Sequence, residues 1–280
     1  MLESIRELMQ PPPGMAFDFS QPAGEPALAP LDGVAWQVFA NPVALFIGGV
    51  AAVLLELAEP AVRAGVWEHS SFRRDPVMRL RRTGFAAMMT VYGPRSAAEK
   101  LIARVVRMHG RVEGSTADGL AYRANDPDLL DWVHATAGFG FTEAYHVYIR
   151  RLSAAEKDAA FAEGRPAALL YGATGSPGSW LEWERMLAAT APRLQGSDTL
   201  DEFLQTMAAA PIAPAPLRRL QWLLVRAAVQ ILPEPVRSLP QLRRHGLRPG
   251  EATLVRALAR SAALLPLGEM PPAQAARRLA

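Results

Sequence analysis

The amino-acid sequence predicts an all-α protein, a single helical domain of about ten helices preceded by a proline-rich N-terminal arm. Half of the 280 residues are hydrophobic, which supplies apolar material for a sizeable core and excludes a disordered chain. Helix-start signals and a helical hydrophobic period recur along the chain, whereas the two-residue alternation of strands is hard to find. We therefore assign residues 1–40 to the irregular arm and residues 41–280 to the helical domain.

The arm is rich in proline and is followed by the most apolar run of the sequence. Six prolines occur in the first 30 residues, and the apolar run covers residues 42–55. A helix needs roughly 20 apolar residues to span a bilayer, and this run is shorter. It therefore predicts a buried core helix and no transmembrane span, with peripheral contact to a membrane as the alternative.

Several helix starts can be placed from the sequence alone. In a capping box, a Ser or Thr hydroxyl accepts a hydrogen bond from the backbone N–H three residues later, and a glutamate there bonds back to the cap. Such boxes begin at Ser96, Ser153 and Thr199. Asp126 followed by Pro127 is a further start. Apolar patterns bounded by prolines predict helices within residues 217–232 and 251–265, and residues 211–216 form a turn between helices.

The absence of cysteine narrows the chemistry that is available. It excludes disulfides, cysteine nucleophiles, cysteine-based zinc sites, iron–sulfur clusters and haem attached through cysteine. A metal would be held by His, Asp, Glu or Tyr. The five histidines are His69, His109, His134, His146 and His245.

The net charge and the N-terminal sequence indicate which partners the protein has and where in the cell it is located. The net charge of +3 is modest, and the densest basic stretch covers only residues 79–82, so we expect no nucleic-acid partner. The first 14 residues carry acids early and contain no apolar segment of the kind found in secretory signals. We therefore expect a cytoplasmic protein.

Two histidines, His109 and His134, fall on the apolar stripes of their predicted helices. Burying an imidazole costs free energy unless it is hydrogen-bonded or bound to something. Each is therefore either a core histidine that bonds to a carbonyl group or a ligand of a metal or haem. The second reading follows because neutral imidazole is the commonest metal-binding side chain.

Other patterns carry less information. Arg79 and Thr83 share one helix face, with Arg82 beside them. Without further information, the arginines indicate a basic helix face exposed to solvent, and the threonine hydroxyl can bond to the backbone of the preceding turn. Glu143 and His146 form one E-x-x-H motif, but di-iron bundles need two such motifs and further glutamates. No HExxH, P-loop, GxGxxG or GxSxG motif occurs.

An ordered set of short motifs lies between about Leu54 and Glu184. It comprises Ala-x-Pro-Ala-Val, His-Ser-x-Phe, Arg-x-x-x-Thr, Tyr-Gly, His-Gly-x-Val-x-Gly and Trp-Val-His-Ala-Thr. This stretch, a little under half of the chain, resembles the family of the ER-bound oxygenase MpaB and the rubber oxygenase (latex clearing protein) catalytic domain. The resemblance implies a mostly helical fold and an oxygenase activity.

In the rubber oxygenase branch, the resemblance also implies a non-covalent b-type haem held by one axial histidine. The family's essential arginine, threonine and histidine fall on Arg79, Thr83 and His109. Arg82 stands where rubber oxygenases have a distal lysine, and arginine cannot act as a compact neutral ligand. Glu59 stands where many members have histidine. These differences affect the substrate and the distal chemistry more than the fold.

Our main hypothesis from the sequence is a haem-dependent oxygenase that acts with dioxygen on an apolar substrate, such as an isoprenoid or another unsaturated lipid. His109 would bind the haem iron, with His134 as the second candidate. The residues assigned to catalysis are Arg79, Arg82 and Thr83. One alternative is a helical protein that binds haem or lipid without turnover. Another is a non-haem metalloenzyme that uses His109, His134 and either Glu143 or His146. The sequence does not identify the electron donor.

Overall fold

The computed structural model describes residues 11–12, 14–212, 215–264 and 268–280. Within these ranges the chain forms thirteen α-helices and one two-stranded antiparallel hairpin, which confirms the all-α prediction. The helix count exceeds the predicted ten partly because short helices, such as the one at Glu234–Arg237, leave little pattern in the sequence.

The helices follow one another with short connections. They are α1 (Val34–Phe39), α2 (Pro42–Ala58), α3 (Pro60–His69), α4 (Pro76–Tyr92), α5 (Arg95–His109), α6 (Pro127–Tyr148), α7 (Ala154–Tyr171), α8 (Trp180–Thr190), α9 (Asp198–Ala209), α10 (Arg218–Ile231), α11 (Glu234–Arg237), α12 (Glu251–Ala263) and α13 (Pro271–Leu279). The hairpin between α5 and α6 consists of β1 (Glu113–Ser115) and β2 (Ala121–Arg123).

One of the three predicted capping boxes forms. The Oγ of Ser153 accepts a hydrogen bond from the N–H of Glu156, and the Glu156 carboxylate accepts from the N–H of Ser153 at 2.7 Å. The boxes at Ser96 and Thr199 were wrong, because both helices begin before those residues. Ser96 donates instead to the carboxylate of Glu25, which comes from the N-terminal stretch.

The remaining helix predictions are confirmed within the described residues. α6 begins at Pro127, although Asp126 accepts a hydrogen bond from the N–H of Arg123 rather than capping α6 with its side chain. α10 and α12 are the helices predicted within residues 217–232 and 251–265. Parts of the predicted turn (213–214), of the last helix pattern (residue 265) and of the arm (1–10 and 13) lie outside the described residues. The predicted absence of a secretory signal concerns residues 1–14, most of which also lie outside the described residues.

The described part of the N-terminal stretch packs onto the other end of the chain. From α13, Arg278 donates from Nε to the carbonyl oxygen of Glu25 at 2.8 Å and from Nη1 to that of Phe19 at 2.7 Å. Phe19 is buried, and the Tyr92 hydroxyl donates to the carbonyl oxygen of Trp36 at 2.7 Å. This stretch is thus built into the helical core rather than extending from it.

The irregular backbone ends at residue 33, so the assignment of residues 34–39 to the irregular arm was wrong. These residues form α1. The first N–H groups of α1, from Val34 and Ala35, donate to the carboxylate of Glu163 at 3.0 and 2.8 Å. Glu163 lies in α7, so the cap is supplied from a distant part of the sequence. A local pattern contains no signal for such a cap.

The central helix α2 is mostly buried and packs closely against α6. A Cβ added to Gly48 would lie 2.7 Å from the Cα of Phe141, and one added to Gly140 would lie 2.5 Å from the carbonyl oxygen of Gly48. No side chain fits at such distances, so glycine lets the two backbones touch. The predicted core helix over residues 42–55 is confirmed as part of α2.

Among the described residues, no single helix has the length and composition to cross a membrane. α2 and α3 satisfy that test only when they are taken together, and the chain bends by 112° between them.

We expect Gly140→Ala to lower the free energy of unfolding by about 1–3 kcal/mol, because the added methyl group forces α2 and α6 apart. Urea denaturation measures the change. Gly164→Ala in α7 is the matched control, since no atom lies within 4 Å of its added Cβ. That control should raise stability by up to about 1 kcal/mol. Equal effects of the two substitutions would contradict the close contact.

Candidate functional site

A cavity of about 680 Å³ lies among the helices, and most of the side chains around it are apolar. α2, α4, α6 and α7 supply most of its wall. Its volume lies in the range of cavities that bind small molecules and cofactors. The polar residues that line it include Glu56, Arg79, Thr83, His109 and His134.

Glu56 and Arg79 bring opposite charges into this apolar space. Glu56 lies near the end of α2 and is the only charged residue of that helix. Burial raises the pKa of its carboxyl group to about 7, although the positive charge of Arg79 opposes the rise. Burial likewise lowers the pKa of Arg79, against the effect of Glu56, but a guanidinium stays protonated in proteins. At neutral pH, Glu56 is therefore present in both its protonated and its ionised form.

Arg79 and Thr83 are held together on one face of α4, as their spacing predicts. The Nη1 of Arg79 donates a hydrogen bond to the Oγ1 of Thr83. The Thr83 hydroxyl donates in turn to the carbonyl oxygen of Arg79 at 2.9 Å. Arg82 lies on the same helix but is exposed and does not line the cavity. The structure thus brings Arg79 and Thr83 to the cavity together and leaves Arg82 outside.

His109 is the last residue of α5 and lines the same cavity. Its Nδ1 is buried and has no hydrogen-bond partner among the described residues. Burial lowers the pKa of the imidazole, and the nearby charge of Arg79 lowers it further. The ring is therefore neutral at pH 7, which is the form that binds metals.

His134, on α6, is the second imidazole of the cavity. Burial lowers its pKa to about 4, with a further lowering from His109. Its ring centroid lies 4.9 Å from that of Tyr171, which shares a side-chain hydrogen bond with Thr90. Among the described residues, the buried Nδ1 of His109 does not bond to a carbonyl group.

The non-haem metal site considered from the sequence is not assembled. Glu143 accepts a hydrogen bond from the Nζ of Lys157 at 2.7 Å, and the Nδ1 of His146 accepts one from the N–H of Leu152 at 2.9 Å. Both side chains line a different pocket, away from His109. Across the ranges that the structure describes, no three His, Asp or Glu side chains are grouped to hold a metal ion.

Sequence reasoning gave Glu56 no role. The sequence did contain a signal, because Glu56 directly follows the most apolar run. Burying a charged carboxylate in such a helix is costly, so an acid at this position indicates a function. Glu59, three residues later, has a structural role instead, because its carboxylate caps α3 by accepting from the N–H of Val62 at 2.8 Å.

The donors of the cavity fit a non-covalent haem. A buried, unpaired imidazole nitrogen of His109 is an atom that a bound iron would satisfy, and His134 provides a second neutral imidazole. The mostly apolar walls suit a flat, apolar macrocycle, and Arg79 is a cation in the same space.

Comparison with protein families gives one match. Residues 36–265 match the family described as ER-bound oxygenase mpaB/B'/Rubber oxygenase, catalytic domain. Neither a curated protein nor a solved structure matches the chain.

Glu56 should make the ligand-free protein less stable as the pH rises. Its carboxyl group has a pKa of about 7 when folded and 4.5 when unfolded, so the folded state binds the extra proton between these values. Stability is therefore highest below about pH 4.5 and falls by up to about 3 kcal/mol as the pH rises through 7. Glu56→Gln should remove that slope in urea denaturation series from pH 4.5 to 8.

The control is Glu99→Gln, which changes an exposed glutamate of α5. It should keep the wild-type slope. An identical pH dependence in wild type and Glu56→Gln would show that Glu56 has no raised pKa.

Proposed function

Because the chain belongs to the family of the ER-bound oxygenase mpaB/B'/rubber oxygenase catalytic domain, we propose that it is a haem-dependent oxygenase. Its substrates would be dioxygen and an apolar, unsaturated small molecule of the isoprenoid or lipid type. The observation that carries this proposal is the His109 imidazole, which is neutral, lines the apolar cavity and has a buried Nδ1 without a partner among the described residues.

His109 would hold the haem iron from the end of α5. A neutral imidazole keeps a lone pair for the metal, and burial together with the charge of Arg79 maintains that neutral form at physiological pH. His134 is the second candidate for this role. Its contact with the Tyr171 ring orients its imidazole, so it suits a positioning role equally. When bound, haem would supply the redox chemistry that activates dioxygen, which the side chains of this chain lack.

Arg79 and Thr83 would stabilise negative charge that develops on oxygen during the reaction. Arg79 is a fixed cation in an apolar space, where a preorganised donor acts more strongly than in water. Its hydrogen bond to Thr83 restricts its rotamers. Arg82 does not line the cavity, so we assign it a role through the charge it adds near Arg79 rather than through contact with substrate.

Glu56 would hold or accept a proton at its carboxyl group. A pKa of about 7 is suited to both tasks at neutral pH, since general acids and bases work best near the operating pH. The neighbouring Arg79 would stabilise the ionised form after proton loss. This places an acid–base group beside the candidate catalytic pair.

An apolar substrate follows from the walls of the cavity. Side chains of α2 and α4 such as Phe46, Val50 and Phe85 leave few hydrogen-bonding groups for a polar ligand. Binding would expel water, which favours apolar molecules and strengthens the electrostatic effect of Arg79.

The visible spectrum tests this proposal. Protein expressed with a haem precursor should show a Soret band, and haem should restore the band to ligand-free protein. His109→Ala should abolish the band, because it removes the nitrogen that binds the iron. His134→Ala is the matched control and should keep it.

The absence of a Soret band both after expression and after reconstitution would rule out the haem proposal. A band that survives in His109→Ala but is lost in His134→Ala would reverse the assignment of the two histidines. Oxygen uptake with unsaturated lipids then separates the enzyme from a helical protein that binds haem or lipid without turnover.

A further inference from the structure

A second, polar pocket of about 630 Å³ lies beside α6 and α12. α12 contributes to both spaces, because Leu258 and Ser261 line the apolar cavity whereas Arg256 and Arg260 line the polar pocket. The pocket is lined by Glu143, His146, Val147, Ile149, Arg150, Arg151, Arg256 and Arg260. Four arginines around one space require an explanation, since like charges repel.

The acids near this pocket already have cationic partners. Glu143 pairs with Lys157 at 2.7 Å, and the ammonium group of Lys157 also lies 3.8 Å from the centre of the Trp180 ring. Arg150 pairs with Glu156 at 2.8 Å and donates to the side chain of Gln37. These contacts neutralise both carboxylates, and no described acid forms an ion pair with the other three arginines.

Those three arginines have free donors. In the part of the chain that the structure describes, the Arg151 and Arg260 side chains form no ion pair. The Nε of Arg256 donates to the carbonyl oxygen of Val147 at 3.2 Å, which fixes the guanidinium, and no described residue accepts from its two Nη groups. The space therefore has an excess of about three positive charges and several unused N–H groups.

The pKa of His146 reflects the positive electrostatic potential of the pocket. Its Nδ1 accepts a hydrogen bond from the N–H of Leu152, so the proton of the neutral ring is assigned to Nε2. Burial lowers its pKa, the charges of Lys157 and Arg151 lower it further, and Glu143 opposes them. His146 thus lies where the cations outweigh the neighbouring acid.

We propose that this pocket binds a phosphorylated small molecule, with its phosphate held by Arg151, Arg256 and Arg260. The planar guanidinium fork matches phosphate oxygens, and the positive charge of three arginines exceeds the negative charge of a phosphate dianion. The pocket is far larger than a phosphate alone, and Val147 and Ile149 offer an apolar wall for the rest of the molecule. Occupancy of this pocket is independent of whether the apolar cavity holds haem.

Inorganic phosphate is the probe, titrated into the full-length protein by calorimetry at constant ionic strength with chloride as the reference anion. Wild type should bind phosphate in preference to chloride. Arg151→Gln/Arg260→Gln should weaken binding at least about tenfold, because it removes two charge-assisted donors. Both residues are exposed, so the fold should persist. The matched control is Arg104→Gln/Arg107→Gln, which removes two exposed arginines of α5 and should leave binding unchanged.

The imidazole of His146 provides a second readout by NMR. Bound phosphate should raise its pKa in wild type, because a nearby anion stabilises the imidazolium, and the rise should disappear in Arg151→Gln/Arg260→Gln. Equal phosphate affinity in both double variants, or no change at His146, would overturn the proposal. Sedimentation with phosphatidylcholine vesicles containing phosphatidate should not depend on these arginines. Such a dependence would assign the surface to a membrane instead.

Discussion

The contact between α2 and α6 sets the geometry on which the rest of the molecule depends. Glycines at positions 48 and 140 let the two backbones touch, and a methyl group at either position would meet backbone atoms below 3 Å. α2 carries Glu56 and α6 carries His134, so this one contact fixes two walls of the cavity relative to each other. The hydrogen bond from Arg79 to Thr83 then fixes the side chains that α4 presents to the cavity.

The cavity combines groups that a purely structural core would avoid. A carboxyl group with a pKa of about 7, a guanidinium and two neutral imidazoles stand among apolar side chains, and the buried Nδ1 of His109 has no hydrogen-bond partner among the described residues. Each of these groups costs folding free energy, and such costs are typical of sites kept for binding or catalysis. The family of oxygenase catalytic domains gives this arrangement a chemical context.

The sequence was sufficient for features that depend on local patterns. The length of the most apolar run predicted the core helix α2, and the spacing of Arg79 and Thr83 predicted their shared face. Features supplied from far along the chain were missed. α1 is capped by Glu163 of α7, and the predicted box at Ser96 was displaced by Glu25. Spacing alone was also unable to separate the cavity-lining residues from exposed Arg82, because that distinction depends on tertiary packing.

The most direct measurement of the central claim is an anomalous difference map at the iron absorption edge, from crystals of protein purified with its cofactor. We predict one iron in the apolar cavity, bound to the imidazole of His109, with Arg79 and Thr83 lining the same space. A map without iron in the cavity, or with iron bound elsewhere than His109, would contradict it.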